Sequence, residues 1–236
     1  MNQSRNPIIV ALDVPHLESA LALVEQLAPV VGAFKVGKEL FVAAGPDIVR
    51  RIRDTGASVF LDLKFHDIPN TVAKAVEASV RLDVQMLTVH TSGGLAMMQA
   101  AQRSAEEAAL RTGKTQPLVL GVTVLTSFNT NDLAEVGVAH DVGNQVERLE
   151  TLAATAGLGG LVCSPLEIVR LRQFLPSHVQ LVTPGIRPAE SKADDQKRTL
   201  TPKEALAAGA SWLVIGRPIC AAPNPRAAAE AILASL

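Results

Sequence analysis

Apolar and polar residues follow two different periods along this chain. Short runs of β-branched and aliphatic residues, typical of buried strands, recur eight times. We interpret these runs as strands at about 8–13, 33–37, 58–64, 86–90, 117–125, 160–164, 179–185 and 211–216. The segments between them are rich in Ala, Leu, Glu and Arg with helical spacing, at 17–28, 46–55, 70–82, 93–111, 144–156 and 165–174. Several begin near a proline (Pro46, Pro69, Pro165), which suits a first helical turn.

Eight strand–helix units in succession predict a parallel sheet that closes into a single (β/α)8 barrel over residues 1–236. An open, doubly wound sheet is the alternative, but no GxGxxG sequence follows the first strand, which argues against its dinucleotide-binding form. One polar segment, 187–199, follows the seventh strand and contains no aromatic or large aliphatic residue. We expect this segment to form a lid that closes over a bound phosphate.

Composition narrows the class of protein. The chain has 48% hydrophobic residues, and its 22 Lys and Arg against 23 Asp and Glu leave a net charge of −1. This balance argues against nucleic acid as the main partner, and the apolar content argues against disorder. No apolar run approaches the ~20 residues of a membrane span, and the first residues lack the features of a signal peptide. With two distant cysteines expected to be reduced, the sequence predicts a cytoplasmic protein.

Charged residues interrupt three of the apolar strands near their carboxyl ends. Strand alternation turns Asp62 and Lys64 of the third strand into the barrel, with Asp13 of the first and Lys35 of the second. The same alternation places an apolar set inward, namely Ile9, Ala11, Ala33 and Phe60. Barrel enzymes carry their active sites at this end of the strands. A purely structural ion-pair network is the alternative, but buried pairs stabilise proteins weakly, so the convergence favours an active site.

The run from Asp62 to Asp67 has the spacing D-x-K-x-x-D. A lysine between two carboxylates stays protonated, which suits a proton donor or an electrostatic clamp and does not suit a Schiff-base amine. We expect His66 to point away from Lys64 and to act in packing, whereas His90 could line the barrel mouth. No zinc-type spacing is present, but Asp62 and Asp67 leave a Mg²⁺ site open as an option.

The last two strands end in residues that suit an anion. The sequence TPGIR ends the seventh strand at Arg187, and IGRP follows the eighth strand at Gly216 and Arg217. The loops after these strands form the usual phosphate site of this barrel. Glycine allows close backbone approach and arginine pairs with phosphate oxygens, so the two ends together predict a phosphate site.

Six sequence blocks together resemble the bacterial-type orotidine 5′-phosphate decarboxylase family. The most specific block is FLDLKFHDIPNTV (60–72), accompanied by ALD (11–13), FKVG (34–37), VTVLTS (122–127), TPGIRP (183–188) and VIGRPI (214–219). The resemblance extends from the first strand to the eighth without a departure at these positions. It implies decarboxylation of orotidine 5′-phosphate to uridine 5′-phosphate and CO₂, the last step of de novo pyrimidine synthesis, with no cofactor and no metal.

The resemblance also implies a role for each matching residue. Lys64 would protonate C6 of the pyrimidine, and Asp62 would lie beside the substrate carboxylate and hold Lys64. Asp13 and Lys35 would bind the ribose hydroxyls and complete an alternating network of charges. The pyrimidine would be bound by hydrogen bonds from a pair of hydroxyls, Thr126 and Ser127. The phosphate would be held by Arg187, Gln196 on the lid, Gly216 and Arg217.

A homodimer follows from the same resemblance, because Asp67 and Thr71 would reach into the site of the partner subunit. Electrostatic preorganisation also fits the reaction chemically, since no sequence signature for pyridoxal or thiamine binding supplies an electron sink. The resemblance makes Asp67 a third candidate catalytic residue, beside Asp62 and Lys64.

Two other functions remain open at this point. Metal-dependent relatives in the same barrel group, such as 3-keto-gulonate 6-phosphate decarboxylase and hexulose-phosphate synthase, share D-x-K-x-x-D and would use Asp62 and Asp67 with Mg²⁺ on a sugar phosphate. The IPNT continuation at 68–71 and the long polar segment with Gln196 argue against this alternative. A non-catalytic phosphate sensor would be expected to have lost at least one inward charge, and all are present.

Overall fold

Eight parallel strands form a closed barrel in which each strand pairs with the next and β8 pairs with β1. The computed structural model describes residues 6–188 and 199–236. The strands are β1 (Ile8–Ala11), β2 (Ala33–Gly37), β3 (Val59–Phe65), β4 (Met86–His90), β5 (Leu118–Val122), β6 (Gly160–Val162), β7 (Gln180–Thr183) and β8 (Trp212–Ile215). The prediction of a (β/α)8 barrel is confirmed, and all eight expected strands are present.

Helices surround the barrel and connect its strands. Those in the described residues are α1 (Leu17–Leu27), α2 (Lys38–Ala44), α3 (Asp47–Asp54), α4 (Pro69–Arg81), α5 (Leu95–Thr112), α6 (Thr130–Glu135), α7 (Val142–Thr155), α8 (Ile168–Phe174), α9 (Pro202–Ala208), α10 (Arg217–Cys220) and α11 (Pro225–Ala234). Each of the six helical segments expected from the sequence coincides with one of them. Local caps fix several starts, as at α9, where Thr201 and Glu204 form a reciprocal capping box. Within the described residues no helix is long and apolar enough to cross a bilayer.

Strand alternation divides the apolar residues into two layers. One layer fills the barrel interior with residues from alternate positions of its strands: Ile9, Ala11, Ala33, Phe60, Met86, Leu120, Val182, Trp212 and Val214. The other layer, which includes Val10, Phe34 and Leu61, packs between the barrel and its helices. The inward assignment of Ile9, Ala11, Ala33 and Phe60 is therefore confirmed. The interior layer closes the barrel below the mouth and leaves the C-terminal ends of the strands free to form a cavity.

The two ends of the polar segment 187–199 lie side by side after β7. Ile186 bridges to Leu200, and the backbone N–H of Arg187 donates to the carbonyl of Leu200 over 3.0 Å. The segment therefore leaves and re-enters the fold at one point beside the barrel mouth. Residues 189–198, and with them most of the expected lid, lie outside the described residues.

Candidate active site

A cavity of about 490 Å³ opens at the C-terminal mouth of the barrel. Its wall contains eight of the twelve residues that the sequence singled out for a site: Asp13, Lys35, Asp62, Lys64, Thr126, Arg187, Gly216 and Arg217. These residues come from strands and loops on opposite sides of the barrel, so only closure of the sheet brings them together. The cavity is where a (β/α)8 barrel carries its active site.

Four charged side chains form an alternating chain along one side of this cavity. The Lys35 ammonium lies 3.0 Å from Asp13 Oδ1 and 3.7 Å from Asp62 Oδ2. The Lys64 ammonium donates to both oxygens of Asp62, at 2.7 and 2.8 Å. The order Asp13–Lys35–Asp62–Lys64 runs inward from a carboxylate that is 62% exposed to one that is only 12% exposed. Opposite charges therefore hold one another in place and leave Lys64 facing the cavity.

Asp62 is ionised despite its burial. Burial alone would raise the pKa of this carboxyl, but the charges of Lys35 and Lys64, with hydrogen bonds from Lys64 and Thr88, hold the pKa below its usual value. Both carboxylate oxygens are therefore available as acceptors and carry negative charge. A permanent charge at this depth repels any anionic group that is forced beside it.

A bulge in β3 turns Lys64 into the site. Leu61 pairs with Leu87 and Phe65 pairs with Val89, so three residues of β3 lie opposite the single residue Thr88 of β4. Lys64 itself has a φ of +55°, which costs about 1–2 kcal/mol for a residue with a Cβ. Strand alternation therefore predicted correctly that Asp62 and Lys64 face the cavity. The backbone, however, brings both side chains there through a β-bulge, which regular alternation does not predict.

Sequence reasoning missed Thr88. This threonine is fully buried in β4, where its hydroxyl accepts from the Lys64 N–H over 2.9 Å and donates to Asp62 Oδ1 over 3.0 Å. The signal that could have found it is a hydroxyl in the otherwise apolar run of Met86–Val89. A buried hydroxyl needs partners, and the neighbouring strand carries the charges.

Gly37 makes room for the outer half of the charge chain. A Cβ at this position would lie 3.0 Å from Lys35 Nζ and 3.4 Å from Asp13 Oδ1. Gly37 ends β2 with φ −88° and ψ −178°, a conformation open to any residue. Glycine is therefore needed at position 37 because a larger residue would crowd the Lys35–Asp13 ion pair. The backbone conformation itself does not require glycine.

The loops after β7 and β8 contribute the residues expected to bind an anion. Arg187 and Arg217 both line the cavity, with Gly185 and Gly216 between the strand ends and these side chains. The Arg187 guanidinium also donates to the carbonyl of Ile186 over 3.1 Å. Two guanidinium groups and four alternating charges in one cavity suit a ligand with a dianionic end and a polar body.

The rest of the cavity lining is mostly apolar, with a few polar groups. Val122, Val124, Val162 and Val214 line it together with Cys163, one of the two thiols that the sequence predicts only to be reduced. Burial raises the pKa of Cys163 to about 12, so this thiol stays protonated. Thr126 lies on the wall, whereas its neighbour Ser127 is exposed and does not contribute to the lining.

Asp67 and Thr71 lie apart from this cavity. Both side chains are exposed, neither lines the cavity, and the Asp67 carboxylate accepts from the backbone N–H of Ile68 over 2.6 Å. Ile68 itself is 67% exposed. The segment 66–71 therefore presents a carboxylate, a hydroxyl and an apolar side chain to the surface, beside the barrel mouth.

The expected position of His66 depended on an unbroken strand. β3 ends at Phe65 after its bulge, and the exposed His66 ring lies 5.4 Å from the ring of His90, centroid to centroid. Neither histidine is among the residues that line the cavity, so the expectation that His90 could line the mouth is not met.

Gln196, the one lid residue singled out, lies outside the described residues.

A metal site was left open by the sequence for Asp62 and Asp67. Asp62 is ion-paired to Lys35 and Lys64, and Asp67 is not part of the cavity wall. Across residues 6–188 and 199–236, no three His, Cys, Asp or Glu side chains are grouped closely enough to hold a metal ion. The described residues thus provide a charge network at this position and no assembled ligand set.

Comparison with known proteins shows the family to which the chain belongs. The family model described as "Orotidine 5'-phosphate decarboxylase / HUMPS family" matches residues 6–232. Orotidine 5′-phosphate decarboxylase from Pseudomonas syringae pv. syringae is 54% identical over the full length of both chains. The enzyme of that name from Moorella thermoacetica is 53% identical over 99% of this chain and 93% of its own.

A solved structure extends the likeness to three dimensions. The crystal structure of orotidine 5′-phosphate decarboxylase from Lactobacillus acidophilus superposes with a TM-score of 0.86 at 39% identity, covering 96% of this chain and 97% of that one. The sequence and the barrel fold therefore both match these enzymes over nearly the whole chain. The protein belongs to the orotidine 5′-phosphate decarboxylase / HUMPS family.

Proposed function

We propose that this protein decarboxylates orotidine 5′-phosphate to uridine 5′-phosphate and CO₂. The observation that carries the proposal is the alternating chain Asp13–Lys35–Asp62–Lys64 in a cavity that Arg187 and Arg217 also line. Charges of both signs suit the carboxylate, ribose and phosphate of this nucleotide. The family and the names of its full-length relatives support the same reaction.

The chemical problem is the electron pair left by CO₂. When the bond between C6 and the carboxylate breaks, the pair stays in an sp² orbital on C6 that the ring π-system cannot delocalise. A fixed ammonium beside C6 favours this developing negative charge and then supplies the proton that forms the C6–H bond. Lys64 suits both tasks because its ammonium is held 2.7 Å from Asp62 and faces the cavity. Lys64 regains its proton from solvent after product release.

Asp62 acts on the substrate before the bond breaks. Its carboxylate is ionised and buried, so a substrate carboxylate bound beside it would be repelled. That repulsion falls as the substrate carboxylate becomes neutral CO₂ and leaves. The Lys64–Asp62 ion pair then has no second carboxylate beside it. Asp62 therefore destabilises the bound substrate more than the transition state, and it keeps Lys64 in position throughout.

Phosphate binding positions the base over these charges. Arg187, Gly216 and Arg217 would hold the phosphate, with Gln196 closing from the segment 187–199, whose ends meet at the Ile186–Leu200 bridge. Thr126, with Ser127 beside it, would bind the pyrimidine edge. Binding energy from the phosphate can then exclude water from the reacting carbon.

The proposal includes a homodimer. The exposed segment 66–71 contains Asp67, Ile68 and Thr71 next to the mouth but outside its own cavity, which suits insertion into a second subunit. A cytoplasmic location also stays a prediction, for which the two free thiols are the supporting feature.

The proton-donor role is tested by the variant Lys64→Ala. We expect kcat/KM to fall at least about 10³-fold, because both charge stabilisation and proton transfer are lost. Uridine 5′-phosphate should still bind, since the arginines remain. The matched control is Lys203→Ala, an exposed lysine of α9, which should retain full turnover. Turnover of Lys64→Ala within tenfold of the unmodified protein would contradict the proposal.

A further inference from the structure

The hydroxyl of Thr88 joins the backbone of one proposed catalytic residue to the side chain of another. Its oxygen accepts from the N–H of Lys64 at 2.9 Å and donates to Asp62 Oδ1 at 3.0 Å. A hydroxyl has one proton and two lone pairs, so donation to the carboxylate leaves the oxygen free to accept from the amide. Both bonds are made by one fully buried atom, and Thr88 does not line the cavity.

The bulge explains why this atom is needed. Between Leu61 and Phe65 the regular pairing of β3 with β4 is interrupted, so the Lys64 N–H has no ladder partner of the usual kind. A buried N–H without a partner costs free energy, and Lys64 also bears a φ of +55°. The Thr88 hydroxyl supplies the missing acceptor at this point and so stabilises an otherwise unfavourable backbone.

Thr88 is itself held rigidly. Its backbone pairs in register with Leu120 of β5, and its neighbours Leu87 and Val89 are fully buried. A β-branched side chain in a central strand has a restricted χ1, so the hydroxyl points in a fixed direction. The position of this hydroxyl is therefore set by the barrel, independently of any ligand.

We propose that Thr88 is a positioning residue that fixes the Lys64 backbone and the Asp62 carboxylate relative to each other, so that the ammonium meets the reacting carbon. This inference rests on the proposed function for its effect on turnover, but the two hydrogen bonds can be tested without turnover. The hydroxyl acts through Lys64 and Asp62 and does not touch the substrate. Loss of the hydroxyl should leave the cavity intact and shift the charges within it.

The test compares Thr88→Val, which removes only the hydroxyl, with Thr88→Ser, which keeps it. For Thr88→Val we expect kcat to fall about 10- to 100-fold with KM changed less than about threefold, because misplacement of reacting groups affects the chemical step. Thr88→Ser should restore kcat to within about threefold of the unmodified protein. The matched control is Thr91→Val, since Thr91 is equally buried and its hydroxyl donates to the carbonyl of Val122, outside the charge network.

Two readouts separate positioning from general loss of stability. Amide hydrogen exchange at Lys64 should accelerate in Thr88→Val and not in Thr91→Val, whatever the activity. The carboxyl of Asp62, followed by carbon NMR, should titrate at higher pH in Thr88→Val because one of its hydrogen bonds is gone. The ionisable groups around this carboxyl are Lys35 of β2 and Lys64 of β3, with Asp13 and His90 further out, and none of them is substituted.

The outcomes are distinct. A kcat of Thr88→Val within twofold of the unmodified protein, or a Thr88→Ser variant as slow as Thr88→Val, would overturn the inference. Unchanged exchange at Lys64 would overturn it as well. If Thr88→Val does not fold, Thr88→Ala takes its place with the same expectations. If the unmodified protein does not decarboxylate orotidine 5′-phosphate, the proposed function fails, while exchange at Lys64 and titration of Asp62 still decide the positioning role.

Discussion

His90 shows how the surroundings of the site set the charge of a single residue. Its half-buried ring lies at the end of β4, near His66 and Lys64. Burial lowers the pKa of His90 to about 4, and interactions with the nearby His66, Lys64 and Lys38 act in the same direction. His90 is therefore neutral at pH 7 and does not add a positive charge beside Lys64.

We predict that His90 titrates with a midpoint near pH 4 in the folded protein. Because an unfolded histidine titrates near 6.5, the unfolded state binds more protons between these values, and His90 lowers stability as the pH falls from 6.5 to 4. Nitrogen NMR of the imidazole rings, with His90→Asn to assign the signal, measures the midpoint. A midpoint near 6.5 would contradict the proposed environment.

Glu150 gives a second prediction, away from the site. This glutamate of α7 is only 4% exposed, and burial, with the charge of Glu147, raises its pKa to about 6. Since the folded state binds the proton more tightly, Glu150 destabilises the protein above pH 6 and not below pH 4.5. Glu150→Gln should therefore raise the free energy of unfolding at pH 8 by about 1–2 kcal/mol.

Urea unfolding at pH 8 and pH 4.5 measures this difference. The gain in Glu150→Gln should shrink to about 0.4 kcal/mol at pH 4.5, where the folded glutamate is protonated and the unfolded one is half protonated. Glu106→Gln, an exposed change on α5, should alter stability at neither pH. A Glu150→Gln variant that is less stable than the unmodified protein at pH 8 would show that the carboxylate has a stabilising partner.

A substitution at the end of β2 tests whether the alignment of the chain Asp13–Lys35–Asp62–Lys64 matters for the reaction. In Gly37→Ala the new methyl would lie 3.0 Å from the Lys35 ammonium and displace it from Asp13. The backbone tolerates alanine here, so the melting temperature should change by no more than a few degrees. We expect kcat/KM to fall about tenfold, because the charges lose their alignment. Unaltered kinetics would show that the outer pair, Asp13 and Lys35, contributes little to the reaction.

The hydrophobic pattern predicted the strands well wherever each residue pairs with a single residue on each neighbouring strand. Alternation placed Ile9 and Phe60 inside the barrel, and charges in apolar strands located the site. It could not predict the bulge in β3, because alternation assumes a constant register, and Thr88 was missed for the same reason. β5 was predicted too long, since the apolar residues after Val122 continue along the cavity wall and not along the sheet.

The proposed homodimer can be tested by mixing two inactive variants. A composite site would need Lys64 from one subunit and Asp67 from its partner, as the exposed position of Asp67 suggests. Lys64→Ala and Asp67→Ala should each be inactive alone, yet an equal mixture should recover about one quarter of the normal activity. Half of the exchanged dimers are then mixed, and each of those has one intact site.

The control replaces Asp67→Ala by the double variant Lys64→Ala/Asp67→Ala, because no mixture of that variant with Lys64→Ala contains an intact site. Subunit exchange is established separately, by mass spectrometry of differently labelled chains. Activity no higher than this control after proven exchange would contradict a site shared between subunits. Side-chain pattern alone could not decide this point, since an interface residue and a solvated loop residue look alike in sequence.

On the proposed mechanism, the barrel mouth decarboxylates orotidine 5′-phosphate by fixed charges without a metal. The most direct test follows the ultraviolet absorbance of orotidine 5′-phosphate with purified protein, in the presence and absence of EDTA. We predict rapid conversion to uridine 5′-phosphate at the same rate in both. No conversion, or conversion that EDTA abolishes, would contradict the claim and direct attention to Mg²⁺-dependent chemistry on a sugar phosphate in the same cavity.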